Sequence, residues 1–328
     1  MSTSATMKAW VVPEKGGRDI LQYQDVPVPT ISSTQVLVKN EYGGLNMVDS
    51  YFRSGLYPQT YPYITGREGA GKVVAIGSEV TSFAVGDRVA YMVTGAFAEF
   101  VAVPAAGAIV KLADSIPTQI AAASMLQVLT ALTLVKDSYA VKPGDFVLIN
   151  AAAGGVGQIL CQLVKSLGGH AIGCVSTDAK AKLASAAGAE YVINYIEVPD
   201  YVPKIMEITN GKGCQVVYDG VGKSTFNDCL RAVARLGSVI TFGNASGPVD
   251  PLNLITLSQK NIKLMRPTLF NYLTTPEEFK YWSGIWLDYL KDGKLNIAIY
   301  KTYPIAEYVS AAEALETRKS TGKVVLKY

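Results

Sequence analysis

Two short stretches hold residue types that could do chemistry together. Ala152, Gly154 and Gly157 occupy the three small-residue positions of G-x-G-x-x-G, with Ala standing first. That fingerprint cradles a dinucleotide pyrophosphate. Ala is small enough for the tight turn, Gly154 lets the backbone approach the phosphates, and Gly157 lets a helix pack closely on the preceding strand. Gly155 and Val156 complete a turn whose N–H groups and positive helix end converge on one anion. The alternative is a strand–helix turn that binds nothing. About twenty residues on, an NAD site needs an acid to accept from the ribose 2′-OH. Here the chain reads Ser176-Thr177-Asp178-Ala179-Lys180. Two small donors and a cation suit a 2′-phosphate, because a dianion takes charge-assisted hydrogen bonds. Asp178 is expected as an N-cap. The expected cofactor is therefore NADPH (NADP+).

The elements around these residues follow from periodicity. Phe146–Asn150 is a short apolar run fit for a buried parallel strand, and Ile159, Leu160, Leu163 and Val164 recur at helical spacing. The alternation continues with strands at Ala171–Val175, Tyr191–Asn194, Val216–Asp219, Val239–Phe242 and Ile262–Met265. Helices are expected at Gly157–Leu167, Ala179–Ala187, Tyr201–Thr209, Thr225–Ala234 and Leu252–Gln259. Such alternation predicts an α/β, doubly wound parallel sheet with its ligand outside the C-terminal strand ends. The first part of the chain differs. Met7–Pro13, Gln35–Tyr42, Gly71–Ile76, Arg88–Met92 and Phe97–Val103 read as short strands between turns, which suggests a β-rich, barrel-like domain. Asn46–Gly55 reads as a short helix, and Tyr57–Thr65 as an ordered loop. Ile120–Lys136 is a long apolar helix bridging to the next domain. Pro276–Asp292 and Val309–Glu316 read as amphipathic helices and Lys323–Lys327 as a closing strand. This tail is expected to return to the first domain. The division is 1–126 with 271–328 for the β-rich catalytic domain, and 127–270 for the Rossmann dinucleotide-binding domain.

Composition sets the class. A chain of 328 residues favours two domains, and 49% hydrophobic against 17% charged residues provides a large core. A net charge of +3 gives no argument for nucleic acid. Cys161, Cys174, Cys214 and Cys229 show no C-x-x-C spacing and read as core residues of a reduced, cytoplasmic protein. Met1–Lys8 has no apolar signal core, and no apolar run reaches about 18 residues, so neither secretion nor membrane spanning is expected.

The run G-D-x-x-L-x-x-x-A-A-G-G-x-G-x-x-x-x-Q-x-x-K from Gly144 to Lys165 carries a resemblance, and other segments share it. These are Val85–Val89, Lys142–Asp145, Tyr218–Gly222, Phe242–Gly247 and Asn46–Arg53 followed by Ser54–Tyr57. The sequence resembles the zinc-free quinone oxidoreductases, the ζ-crystallin-like branch of the medium-chain dehydrogenase/reductase superfamily. The resemblance implies a catalytic domain, a dinucleotide domain and a cleft between them. It implies that Asn46, Asp49, Tyr51, Arg53 and Tyr57 line the nicotinamide side. Tyr51 and Tyr57 would stack on a flat acceptor or donate to its oxygen, and Arg53 would stabilise a developing oxyanion. The bland reading is packing aromatics and a surface ion pair. The same resemblance puts Tyr195 at the adenosine phosphate. It puts Thr130, Gly220, Phe242, Gly243 and Asn244 near the nicotinamide, and the Gly322-Lys323-Val324 segment at the cleft.

Zinc-dependent relatives hold their ion with an early Cys, a His from a G-H-E motif and a third ligand. This chain has Asn46 at the first position and Gly66-Arg67-Glu68 at the second, and no Cys before Cys161. Its single His, His170, lies in the dinucleotide half. A tetrahedral S and N set cannot be assembled there, so no metal is expected. The expected reaction is NADPH-dependent reduction of a quinone, with the protein mainly positioning nicotinamide against acceptor. Two rivals stand beside it. One is an NADPH-dependent enone or enoyl-thioester reductase; the other is an RNA-binding or structural ζ-crystallin-like role, for which Arg318, Lys319, Lys323 and Lys327 form the candidate basic patch. The family also implies a homodimer through the Rossmann edge strand Ile262–Met265.

Overall fold

The computed structural model describes residues 5–328, and Met1–Ser4, part of the stretch read for a signal core, lie outside the described residues. The elements run β1 (Thr6–Val12), β2 (Gln22–Pro27), β3 (Gln35–Leu45), α1 (Met47–Arg53), β4 (Tyr63–Ile64), β5 (Gly69–Ile76), β6 (Arg88–Tyr91), β7 (Phe100–Pro104), β8 (Ile109–Lys111) and α2 (Thr118–Thr133). Then come β9 (Phe146–Asn150), α3 (Gly155–Ser166), β10 (His170–Val175), α4 (Asp178–Ala186), β11 (Tyr191–Asn194), α5 (Val202–Ile208), β12 (Cys214–Asp219), α6 (Phe226–Ala232), β13 (Val233–Thr241), α7 (Ile255–Ser258) and β14 (Lys263–Met265). The tail holds α8 (Pro276–Lys291), β15 (Ile299–Pro304), α9 (Tyr308–Glu316) and β16 (Lys323–Lys327). Two compact units result: Met1–Leu126 with Leu273–Tyr328, and Gln127–Tyr272.

The first unit is built on β3. This strand is eleven residues long, so its first half can pair with β7 and its last residues with β16, while β5 runs along its other edge. The larger sheet has the order β15-β16-β3-β5-β6-β8, and a smaller one has the order β2-β1-β4. Alternate residues of β3, Val36 and Val38, enter a core with Tyr91, Phe97, Val324 and Leu326, as the period of two requires. Trp10 closes this core, stacking on Tyr23 at 5.0 Å and donating its indole N–H to the Ile305 carbonyl at 2.7 Å. Through β15, α9 and β16 the tail completes the unit that the N-terminal strands begin.

The second unit has the strand order β11-β10-β9-β12-β13-β14, all parallel. Strand order reverses between β9 and β12, and a doubly wound sheet offers its ligand crevice at such a point. Leu148, Ile172 and Val217 are fully buried on these strands, as a sheet covered on both faces demands.

Some elements depart from the sequence reading. The strands β2, β8 and β15 are additional, and the last two residues of the expected Tyr57–Thr65 loop before Thr65 form β4. The apolar helix is longer than expected. Including a π-helical turn at Leu134–Ser138, Thr118–Ser138 is long and apolar enough to cross a membrane, contrary to the expectation from uninterrupted runs. Scattered Ser, Thr and Gln break the run, yet the mean hydropathy stays at 1.5. Within its 18-residue apolar window 83% is buried inside the protein, which makes it a core helix.

Candidate active site

In the dinucleotide unit the glycine-rich turn begins where β9 ends. Ala151 takes a positive φ of 54°, and the Gly154 N–H returns to the Ala151 carbonyl at 2.9 Å. Gly154 is then the extended N-cap of α3, with no side chain capping the helix. The first N–H groups of such a helix have no intrahelical acceptor, so those of Gly155, Val156 and Gly157 and the helix dipole offer a site to an anion. Gly157 is required sterically: a Cβ there would collide with the Ala151 carbonyl oxygen and lie 2.8 Å from the Ala152 Cα. The Ala at the first fingerprint position is accommodated by a glycine that the sequence reading did not single out. Gly173 on β10 leaves the space into which the Ala152 methyl projects, since a Cβ on Gly173 would lie 2.8 Å from it.

The tip of β10 carries the other anion-binding candidates. Lys180 Nζ donates to Ser176 Oγ at 3.2 Å. The N-cap of α4 is Thr177, not Asp178 as expected: Thr177 Oγ1 accepts from the Lys180 N–H at 3.2 Å. Asp178 is instead the first helical residue and accepts from Asn194 Nδ2 at 3.3 Å. Thr177 has the extended backbone that a cap needs (φ −153°, ψ 158°). Tyr195 is tied to the same strand end by its N–H, which donates to the Val175 carbonyl at 3.0 Å. Ser176, Thr177, Lys180 and Tyr195 are thus brought to the ends of β10 and β11.

Across the switch point, Gly220 follows β12, and Phe242, Gly243 and Asn244 follow β13. They meet closely: a Cβ on Gly220 would be 3.0 Å from the Phe242 ring. Thr130 stands in the part of α2 that belongs to the same unit. The residue that shapes this corner is Asp219. Its buried carboxylate accepts from Asn150 Nδ2 (3.0 Å), the Val221 and Gly222 N–H groups (3.1 and 3.0 Å) and Thr225 Oγ1 (2.8 Å). Desolvation still holds its carboxyl above the ordinary range. The Y-D-G-V-G motif marked this stretch in the sequence, but nothing there assigned Asp219 the turn.

In the other unit, α1 sorts the remaining candidates. Asp49 accepts from the Asn46 N–H at 2.8 Å as half of a capping box. Asp49 and Arg53, four residues apart, share a buried face. Arg53 Nη2 donates to Glu316 Oε1 on α9 at 2.8 Å, and Glu316 Oε2 accepts from Arg18 at 2.7 Å. The Arg53 ion pair is therefore buried rather than on the surface. Tyr57 packs edge-on against Tyr51 (5.2 Å) and Phe52 (5.6 Å), and the Arg67 guanidinium lies 3.6 Å over the Phe52 ring. Burial lowers the Arg67 pKa.

Asn46 belongs to a second buried group. Lys323 Nζ donates to Asn46 Oδ1 at 2.7 Å and to Glu68 Oε2 at 2.6 Å, and Asn46 Nδ2 donates to the same Glu68 oxygen at 3.0 Å. Glu68 Oε1 accepts from the Leu126 N–H at 2.7 Å. Lys323 follows Gly322, whose φ of +86° and close approach to Ala298 no other residue would tolerate. Two positions that supply zinc ligands in zinc-dependent relatives thus hold an amide committed to an ammonium and an arginine. Among the described residues no group of three or more His, Cys, Asp or Glu could hold a metal ion. The burial of Lys323 also removes it from the basic patch weighed for RNA, because its charge is spent on Glu68.

Known proteins resemble the chain along its whole length. The alcohol dehydrogenase GroES-like domain family matches residues 32–114, and the zinc-binding dehydrogenase family matches residues 155–283. A quinone oxidoreductase of Pseudomonas aeruginosa is 43% identical over 315 residues, 95% of this chain and 96% of the relative. A 2-haloacrylate reductase of a Burkholderia species is 35% identical over 97% of this chain and 98% of the relative. The crystal structure of Escherichia coli quinone oxidoreductase complexed with NADPH superposes with a TM-score of 0.94 at 37% identity, covering 98% of this chain and 100% of that one.

Proposed function

The chain belongs to the quinone oxidoreductases of the medium-chain dehydrogenase/reductase superfamily, and from that premise we propose that it reduces quinones with NADPH without a metal ion. The observation that carries the cofactor is the paired anion site of the dinucleotide unit. An uncapped α3 N-terminus suits the pyrophosphate, and Lys180 with Ser176 at the β10 tip suits a 2′-phosphate. Bound NADPH supplies the hydride and its electron pair. The chain's own residues bind and orient. Gly155–Gly157 hold the phosphates, the Asp219-supported turn presents Gly220, and Phe242–Asn244 back the nicotinamide. Tyr57, half-buried, offers an aromatic ring to a flat acceptor, with the buried Tyr51 ring packed against it. Arg53 is committed to Glu316, which favours a supporting role over direct oxyanion binding.

Electron-poor acceptors need no Lewis acid, which agrees with the Asn46, Arg67 and Lys323 arrangement. A second reading, reduction of a conjugated carboxylic acid, draws on the 2-haloacrylate reductase relative and on Arg67, a cation that could meet a carboxylate. A homodimer through β14 and a cytoplasmic place of action complete the proposal; the four cysteines are buried and free, which fits a reducing compartment. The test is NADPH oxidation with 1,4-benzoquinone, 9,10-phenanthrenequinone and 2-chloroacrylate side by side, with NADH as control. Rapid, NADPH-selective turnover of the quinones is expected. Turnover of 2-chloroacrylate alone would replace the quinone reading with the second one.

A further inference from the structure

Nine buried side-chain polar atoms among the described residues have no hydrogen-bond partner, and six of them belong to one cluster in the first unit. They are Asp49 Oδ1, Arg53 Nε and Nη1, and the hydroxyls of Tyr63, Thr65 and Tyr308. They come from α1, β4 and the residue after it, and the start of α9. The charge of Asp49 acts on both phenols, that of Arg53 acts on Tyr308, and the Thr65 hydroxyl lies against both rings' oxygens without an ordinary hydrogen bond to either. Buried polar groups without a protein partner are normally met by ordered water. The chemistry selects water over an ion. Arg53 repels a cation, and because its charge is already met by Glu316 an anion would be buried there without a cation of its own. Five potential donors and one carboxyl oxygen need a ligand that both donates and accepts.

We propose that Asp49, Arg53, Tyr63, Thr65 and Tyr308 form a binding site for internal water, and that this water carries protons between Asp49 and the solvent at the Glu316–Arg18 rim. Oδ2 of Asp49 is held by the Asn46 N–H, which leaves Oδ1 to carry a proton into the cluster. Asp49 is faced by Lys323 from β16, by Arg67 and Glu68 ahead of β5, by Tyr63 from β4 and by Tyr308 from α9, with Arg53 one turn further along its own helix. Burial outweighs the cations and pushes its carboxyl up to about 7. The acid therefore holds a proton near neutrality.

The use of that proton rests on the quinone reading above. Hydride transfer oxidises NADPH by two electrons and reduces the quinone by two, giving a hydroquinone monoanion that takes up one proton. Asp49 releases this proton into the water and regains one from solvent. It is a reservoir acting through water, not a residue that touches the acceptor.

Three measurements on the full chain test the proposal. A high-resolution crystal structure should show water within hydrogen-bond reach of Asp49 Oδ1 and the Tyr308 hydroxyl. Infrared spectra should show a buried carboxylic acid C=O band that disappears in Asp49→Asn. In quinone turnover, kcat of Asp49→Asn should fall at least about tenfold with KM little changed, and its pH profile should lack the decline above neutral pH expected of the parent. Tyr308→Phe, which keeps the ring, should enlarge the solvent isotope effect. Side chains paired directly with one another and no water between them would overturn the site. An Asp49→Asn pH profile matching the parent's would overturn the reservoir. The first two measurements need no turnover, so water and an acid band in a protein that reduces no quinone would refute the quinone reading alone.

Discussion

Replacing Asp49 by Asn should change how stability depends on pH, and the structure sets the size. The carboxyl is held at about 7 against an ordinary 3.8, because burial outweighs the Asn46 N–H and the Lys323 and Arg67 charges. About three pH units correspond to about 4 kcal/mol. Between the two values the folded protein keeps a proton that the unfolded chain has lost. Stability therefore falls as pH rises, by about 1.4 kcal/mol per unit, and the loss is complete above pH 7. Asn cannot ionise, yet its side-chain oxygen can still accept from the Asn46 N–H. All other groups titrate alike in both proteins, so the stability difference between variant and parent isolates this carboxyl. It should move in the variant's favour by about 3 kcal/mol from pH 5 to pH 8. Trp10, Trp282 and Trp286 all lie in the unit that contains Asp49, so urea unfolding followed by tryptophan fluorescence reports on that unit. A difference independent of pH would refute the reasoning, because it would mean that Asp49 ionises as readily in the folded protein as in the unfolded chain.

Three further changes probe the rest. Lys180→Ala removes a charge-assisted contact, so affinity for NADPH should drop about ten- to a hundredfold, a loss of ~1.5–3 kcal/mol, while NADH binding stays level; calorimetric titration of both nucleotides decides it. Gly157→Ala drives a methyl into Ala151 and should unfold or severely destabilise the dinucleotide unit, whereas Gly154→Ala, with its nearest neighbour 3.1 Å away, should fold and lose cofactor affinity; circular dichroism and nucleotide titration separate the two. Lys323→Met strands Glu68 without its cation and should cost about 3–5 kcal/mol. Adding Glu68→Gln should recover part of that loss in urea unfolding, since the uncompensated charge goes with it.

The dinucleotide unit was largely legible because its strands are buried on both faces and read as apolar runs; Tyr191–Asn194 has the expected limits. The strands without a sequence signal lie at edges. β2 pairs only with β1, and its residues Gln22, Gln24 and Asp25 are exposed, so no alternation marks it. β15 is likewise an edge strand, with Tyr300 and Lys301 exposed. Sequence alone puts the cap of α4 one residue late because Thr177 and Asp178 are both capping types, and only backbone geometry chooses between them. The glycine turn and the Lys180 position could be read locally. The Glu68–Lys323 and Arg53–Glu316 pairs could not. Their partners stand 255 and 263 residues apart, and an isolated Lys or Glu in a sequence reads as a solvated surface charge.

The most direct test of the central claim is single-turnover reduction of 1,4-benzoquinone by NADPH carrying deuterium at the transferred position of C4, in the presence of a chelator. The account predicts one NADPH consumed per hydroquinone formed, a primary isotope effect on the rate and no change with the chelator. NADPH that binds but is not oxidised by the quinone, or a reaction stopped by the chelator, would contradict it.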